Sequence, residues 1–164
     1  MKILFKILIF SILIITIVAT AANTTLGPSH GMPYPEGWQN WAPISMSYRA
    51  DNNTVRIIYG NDVAIVAARS GNTDPWPDNA IIGKAVWKAT KLENWKPADS
   101  PGKFVHAEFM FKDSKKYSGT HGWGWARWVG IGQKPFEKGM DVCIACHMPV
   151  RERDWVFTDP AVLP

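Results

Sequence analysis

Cysteine is scarce in this chain. Its 164 residues contain two, Cys143 and Cys146, so a disulfide-stapled scaffold is excluded beyond one short bridge between that pair. A second Cys/His pair at zinc spacing is missing as well, which argues against a structural zinc site. Excess charge of one sign is also small. Lys and Arg number 18 against 14 Asp and Glu, a formal +4, and the two lysines at positions 2 and 6 supply half of that excess. So mild a surplus does not argue for nucleic acid as a partner. The longest apolar-rich run, residues 7–18 (ILIFSILIITIV), is short of the ~20 residues that span a bilayer. Repeats and low-complexity stretches are absent. With 13 Gly and 12 Pro scattered along it, the chain has no room for four long amphipathic helices, which excludes an ordinary four-helix bundle.

Residues 1–22 read as a secretory signal. Lys2 and Lys6 form a basic start, 7–18 an apolar middle, and Ala19-Thr20-Ala21 or Thr20-Ala21-Ala22 a small-residue cleavage site. The expected location is therefore the periplasm. Cleavage leaves residues 23–164, the length of one domain. Nine tryptophans suit the walls of a large apolar pocket, although tryptophans also simply build cores.

The domain reads as mainly β with some helix: a single antiparallel sheet followed by a C-terminal helix. Residues 23–37 form a leader loop rich in Pro and Gly. A short helix is expected around Trp38 and Trp41, ending before Pro43. Residues 54–59 (TVRIIY), 80–88 (AIIGKAVWK), 104–111 (FVHAEFMF) and 123–131 (WGWARWVGI) read as strands. Residues 61–68 are apolar and fit helix or strand. Residues 71–79 (GNTDPWPDN) and 119–122 are turns, 112–117 (KDSKKY) a charged segment, and 132–138 a loop.

Near the C-terminus stands Cys143-Ile144-Ala145-Cys146-His147, the C-x-x-C-H attachment signature of a c-type haem. Two thiols can add to the two haem vinyl groups, and the histidine beside the second can reach the iron. A thioredoxin-like pair would need a βαβ setting that is absent here, and a local disulfide would not require the histidine. The motif predicts one covalent haem c, held by Cys143, Cys146 and His147, with His147 as the metal ligand. It sits on a short helix beginning near residue 136 or 139. The only methionine after it, Met148, is its neighbour and cannot swing to the opposite haem face. A small class-one cytochrome c has its motif near the N-terminus and its methionine far downstream, so this order favours an iron without an obvious sixth ligand. His30, His106 and His121 are potential sixth ligands by residue type, but each reads better as a surface or turn histidine.

Several scattered segments then fall into a pattern. Gly37-Trp38-Gln39-Asn40-Trp41, Val55 to Tyr59, Trp76-Pro77-Asp78 leading into Ala80 to Lys84, Ala107 to Tyr117, Gly122 to Trp125, the haem motif, and Asp154 to Thr158 follow one another in order. In this the chain resembles the cytochrome P-460 family, which includes the β-type cytochromes c′. The resemblance implies a β-rich domain, usually a homodimer, with a pentacoordinate haem c. It implies oxidation of hydroxylamine with nitric oxide as co-substrate, electrons leaving to a soluble acceptor such as a cytochrome c. An alternative is non-catalytic binding of nitric oxide or another diatomic gas, as in the β-type cytochromes c′, and a second is plain electron transfer. The resemblance assigns Lys84 to the lysine that cross-links to the porphyrin in the P-460 enzymes, Glu108 to a distal proton-handling carboxylate and Arg56 to an arginine near the pocket. Ala85 stands where the family usually has Glu, and Asn79-Ala80 where it has Gly-Thr. Cross-linking and pairing with a haem propionate therefore both stay open for Lys84.

The residues themselves carry part of this reading. Lys84 shares a strand face with Ile82 and Val86, an odd place for a lysine unless that face meets a polar group. Glu108 shares its face with Phe104, His106 and Met110. A pocket there would bury the carboxyl and raise its pKa. A solvated face would make the same glutamate unremarkable. The guanidinium of Arg56 could fork onto a propionate.

Overall fold

The computed structural model describes residues 29–164. The expected signal segment and the first part of the leader lie outside the described residues. Six strands form one antiparallel sheet in sequence order: β1 (Ala42–Arg49), β2 (Thr54–Gly60), β3 (Ile81–Leu92), β4 (Trp95–Lys112), β5 (Trp123–Val129) and β6 (Lys134–Pro135). Helix α1 (Asp62–Ser70) joins β2 to β3, and helix α2 (Asp141–His147) follows the sheet. The mainly β architecture with a motif-bearing helix at the end is the one the sequence predicts.

The apolar piece at 61–68 resolves as helix, and its ends explain why. Asn61 caps it by accepting the Ala64 N–H at 3.0 Å, and Gly71 stops it with φ 75°, a left-handed conformation that favours glycine. The predicted helix at Trp38 shrinks to a single 3-10 turn, Trp38–Asn40. The chain then enters β1, which the sequence reading missed because Pro43 breaks the pattern. Proline is tolerated there because β1 is an edge strand, and the register shifts between Pro43 and Ser45. Strands β3 and β4 also run well beyond the apolar cores that announced them, into a polar hairpin around Leu92 and Trp95.

Side-chain alternation gives the sheet two apolar faces. Phe109, Ala85, Ala107, Ala126 and Trp128 point one way and meet Met32, Tyr34 and Trp38 from the N-terminal segment. Phe109 sits at the centre, edge-on to Trp38, Trp41 and Trp128 at 5.6, 6.2 and 5.7 Å between ring centroids. Gly83 makes room for it, since a Cβ there would lie 2.7 Å from the Phe109 ring. The opposite face carries Ile58, Ile82, Met110, Trp123 and Trp125, and is covered by α1 and by Trp155 and Val156 of the tail, with Cys143 and Ile144 of α2 packed against it. That second face holds the site.

Candidate functional site

The register of the sheet places the site's side chains in one row. Ile58 is opposite Lys84, Lys84 is opposite Glu108, and Glu108 is opposite Arg127. One step along, Arg56, Val86 and His106 are also aligned. Neighbouring strands bring such directly opposed side chains to about 5 Å at Cβ, so charges in one row must interact. They do. The Glu108 carboxylate accepts from Lys84 Nζ on one oxygen and from the Arg127 guanidinium on the other, with His106 Nε2 3.4 Å from the latter.

This row faces a cavity of about 630 Å³, between the sheet, α2 and the C-terminal tail. Arg56, Lys84, His106, Glu108 and Arg127 line one side, and Cys143, Cys146 and His147 line another. Residues 84, 108 and 56, far apart in the chain, thus share one pocket with the C-x-x-C-H motif. The mixed face predicted for Glu108 lies over a pocket and not in open solvent. The lining also corrects the reading of His106, which is a pocket histidine and not a surface one. His121 occupies a left-handed turn position and stacks on Trp155 with centroids 4.2 Å apart. His30 lies against the carbonyls of Trp125 and Lys138.

The electrostatics of Glu108 differ from expectation. Burial pushes its pKa up, but the charges of Lys84, His106 and Arg127 pull harder, and the net result is a carboxyl at about 2. A buried carboxylate among cations stays ionised. The expected raised value counted burial alone; Lys84 and His106 oppose it first, and with them Arg127, a residue not singled out from the sequence. A signal for it exists. Arg127 alternates with Trp123 and Trp125 on one face of β5, the same anomaly that marks Lys84. His106 is lowered too, but by a different cause: burial brings it down to about 4, so it is neutral at pH 7.

Across the cavity, His147 is wedged between the rings of Trp125 and Phe157, with centroids 4.6 and 5.0 Å away. Its Nδ1 lies 2.7 Å from the Trp155 carbonyl. A carbonyl only accepts, so Nδ1 carries the proton and Nε2 keeps the lone pair a metal requires. Burial, first among the causes, lowers the His147 pKa and so favours that neutral form. Both cysteines are free thiols, and burial raises the pKa of Cys143.

A haem fits this chemistry. The cavity is of cofactor size. Arg49, Arg56, Lys84 and Arg127 line it against one carboxylate, Glu108, a surplus of positive charge suited to a dicarboxylate. Three buried donors in its wall, Arg56 Nε, Arg127 Nε and Trp125 Nε1, have no partner within the described residues, a costly arrangement unless an acceptor arrives. Sheet, cavity and C-x-x-C-H helix together define a β-sheet protein built to hold a porphyrin.

Comparison with known proteins agrees. The family model described as Cytochrome P460 matches residues 35–158, which takes in every element from the Trp38 turn to the tail beyond α2. The chain belongs to the cytochrome P460 family, and membership implies a haem cofactor. No curated protein matches the chain.

Proposed function

We propose that this chain is a periplasmic haem c protein whose pocket acts on small nitrogen species, oxidising hydroxylamine with nitric oxide as co-substrate. The carrying observation is that the Lys84–Glu108–Arg127 row and the Cys143-x-x-Cys146-His147 motif line the same cavity. Cys143 and Cys146 would hold the haem through thioethers, and His147 Nε2 would bind its iron. Arg56 and Arg127, with their unpartnered Nε donors, would take its propionates. When bound, the haem supplies a redox centre and an open coordination position for a small ligand.

The protein's own part is polar. Glu108 is ionised throughout the physiological range and accepts hydrogen bonds from the N–H and O–H groups of a hydroxylamine-sized molecule. Held at about 2, its carboxyl does not keep a proton it receives, so it orients donors and hands protons on. Neutral His106, within 3.4 Å of that carboxylate, is the adjacent acceptor. Lys84, anchored by Glu108 at the pocket wall, would meet the haem edge by a covalent bond or by an ion pair. Electrons leave to a soluble acceptor such as a cytochrome c.

Steady-state oxidation of hydroxylamine by the purified holoprotein, with a one-electron acceptor and with or without nitric oxide, tests this reading. Turnover that requires Glu108 supports it. A holoprotein that binds nitric oxide reversibly but never consumes hydroxylamine would replace it with a gas-binding role.

A further inference from the structure

A second ion pair, this one buried, joins the end of β4 to the C-terminal tail. Lys112 ends β4 and Asp154 lies 42 residues later in the tail, yet Lys112 Nζ meets the two carboxylate oxygens at 2.7 and 2.9 Å. Their side chains are 7% and 8% exposed. The carboxylate also accepts the Trp76 backbone N–H at 2.8 Å and is 3.3 Å from Trp123 Nε1, which donates to the Asp154 carbonyl at 2.9 Å. Lys112 lies over the Trp123 ring at 4.8 Å. Donors from three separate segments thus converge on one residue.

A buried pair of this kind is an inefficient source of stability, because an apolar pair would fill the space without losing hydration. Its position suggests a different use. Asp154 and Trp155 have φ of 47° and 65°, two successive non-glycine residues in the left-handed region. Such strain persists only where the surroundings over-determine it. The Trp155 carbonyl presented by this turn is the one that accepts from His147 Nδ1.

We propose that Lys112 and Asp154 are positioning residues for the proximal histidine: their ion pair locks the left-handed turn that aims the Trp155 carbonyl at His147. This rests on the reading of His147 as the haem's axial ligand. A firm Nδ1–H···O=C bond makes the imidazole a stronger donor to iron and favours the ferric state. Weakening the lock lowers the iron–histidine stretching frequency of the ferrous protein and raises the haem reduction potential.

The test uses holoprotein carrying Lys112→Met with Asp154→Gly. Both charges go together, and glycine keeps the left-handed backbone accessible. The expected result is attached haem, a downshifted iron–histidine stretch and a raised potential. Lys112→Met with Asp154→Asn keeps an oxygen for Trp76 and Trp123 in a residue that tolerates this φ, and is expected to recover part of both shifts. Should the glycine variant fail to mature, the asparagine variant is read alone against the native protein. Native frequency and potential in the variants that carry haem overturn the proposal. A native protein that carries no haem at His147 overturns the functional reading itself, and this inference with it.

Discussion

Lys84 and Glu108 are partners twice over: they are directly opposed in the β3–β4 register, and their side chains form an ion pair at the wall of the pocket. The first relationship produces the second. An antiparallel register that puts two residues opposite each other brings their side chains together on one face, and a one-residue slip would turn both into the opposite aromatic core. The polar heart of the site is therefore written into strand pairing.

Removal of the Glu108 charge should be felt in turnover. Glu108→Gln keeps the shape but leaves Lys84 and Arg127 without their shared counter-charge. Hydroxylamine oxidation is expected to fall roughly 100-fold or more, with haem content unchanged. Steady-state rates normalised to haem check this, and unchanged turnover refutes a proton-handling role for Glu108.

Arg127 should contribute, after Lys84 and His106, to holding that carboxylate ionised. It is one of the three cationic partners that hold Glu108 at about 2. Arg127→Met is expected to raise the Glu108 pKa, moving the appearance of its protonated carboxyl band in the infrared to higher pH. A band that titrates where it does in the native protein would show that Arg127 has no such hold.

Acid should destabilise the fold in two stages. His106 has a folded pKa of about 4, below its ordinary 6.5, so the unfolded chain takes up a proton first as pH falls. Stability is then lost between about pH 6.5 and 4, on the order of 3 kcal/mol. Glu108 is depressed from 4.5 to about 2, so its contribution is present above 4.5 and is lost as pH falls towards 2. Denaturant titrations of the holoprotein across pH 2–8 should show both windows. His106→Gln is expected to remove the upper window and, by taking away one of the charges that depress Glu108, to shrink the lower one.

Gly83 should resist substitution. Its neighbour in the chain is Lys84, and its missing side chain is the space occupied by Phe109, which is 2% exposed. Gly83→Ala is expected to cost about 1–3 kcal/mol, because the ring is wedged among Trp38, Trp41 and Trp128 and has nowhere to move. The midpoint of denaturant unfolding checks this.

Much of this was legible in the sequence, and the residues show why. The strand at 54–59 was announced by β-branched residues, and the one at 104–111 by an alternation that put Glu108 and Met110 on one face. The C-x-x-C-H motif announced a haem through its spacing, and the family agrees on the cofactor. Strand β1 was hidden because Pro43 looks like a terminator, and only an edge position makes it acceptable. Arg127 and the low pKa of Glu108 were hidden because they depend on which strands are neighbours. The Lys112–Asp154 pair was hidden by its separation, and Lys112 reads locally as the start of a charged surface segment.

On the proposed function, one cavity joins a covalent haem at Cys143, Cys146 and His147 to the polar row of Lys84, Glu108 and Arg127. The optical spectrum of the purified, dithionite-reduced holoprotein tests it most directly, before and after addition of nitric oxide. The expected result is a high-spin, five-coordinate ferrous haem that survives acid–acetone extraction and whose spectrum changes on adding nitric oxide. A six-coordinate low-spin spectrum indifferent to nitric oxide would contradict it and leave electron transfer as the function.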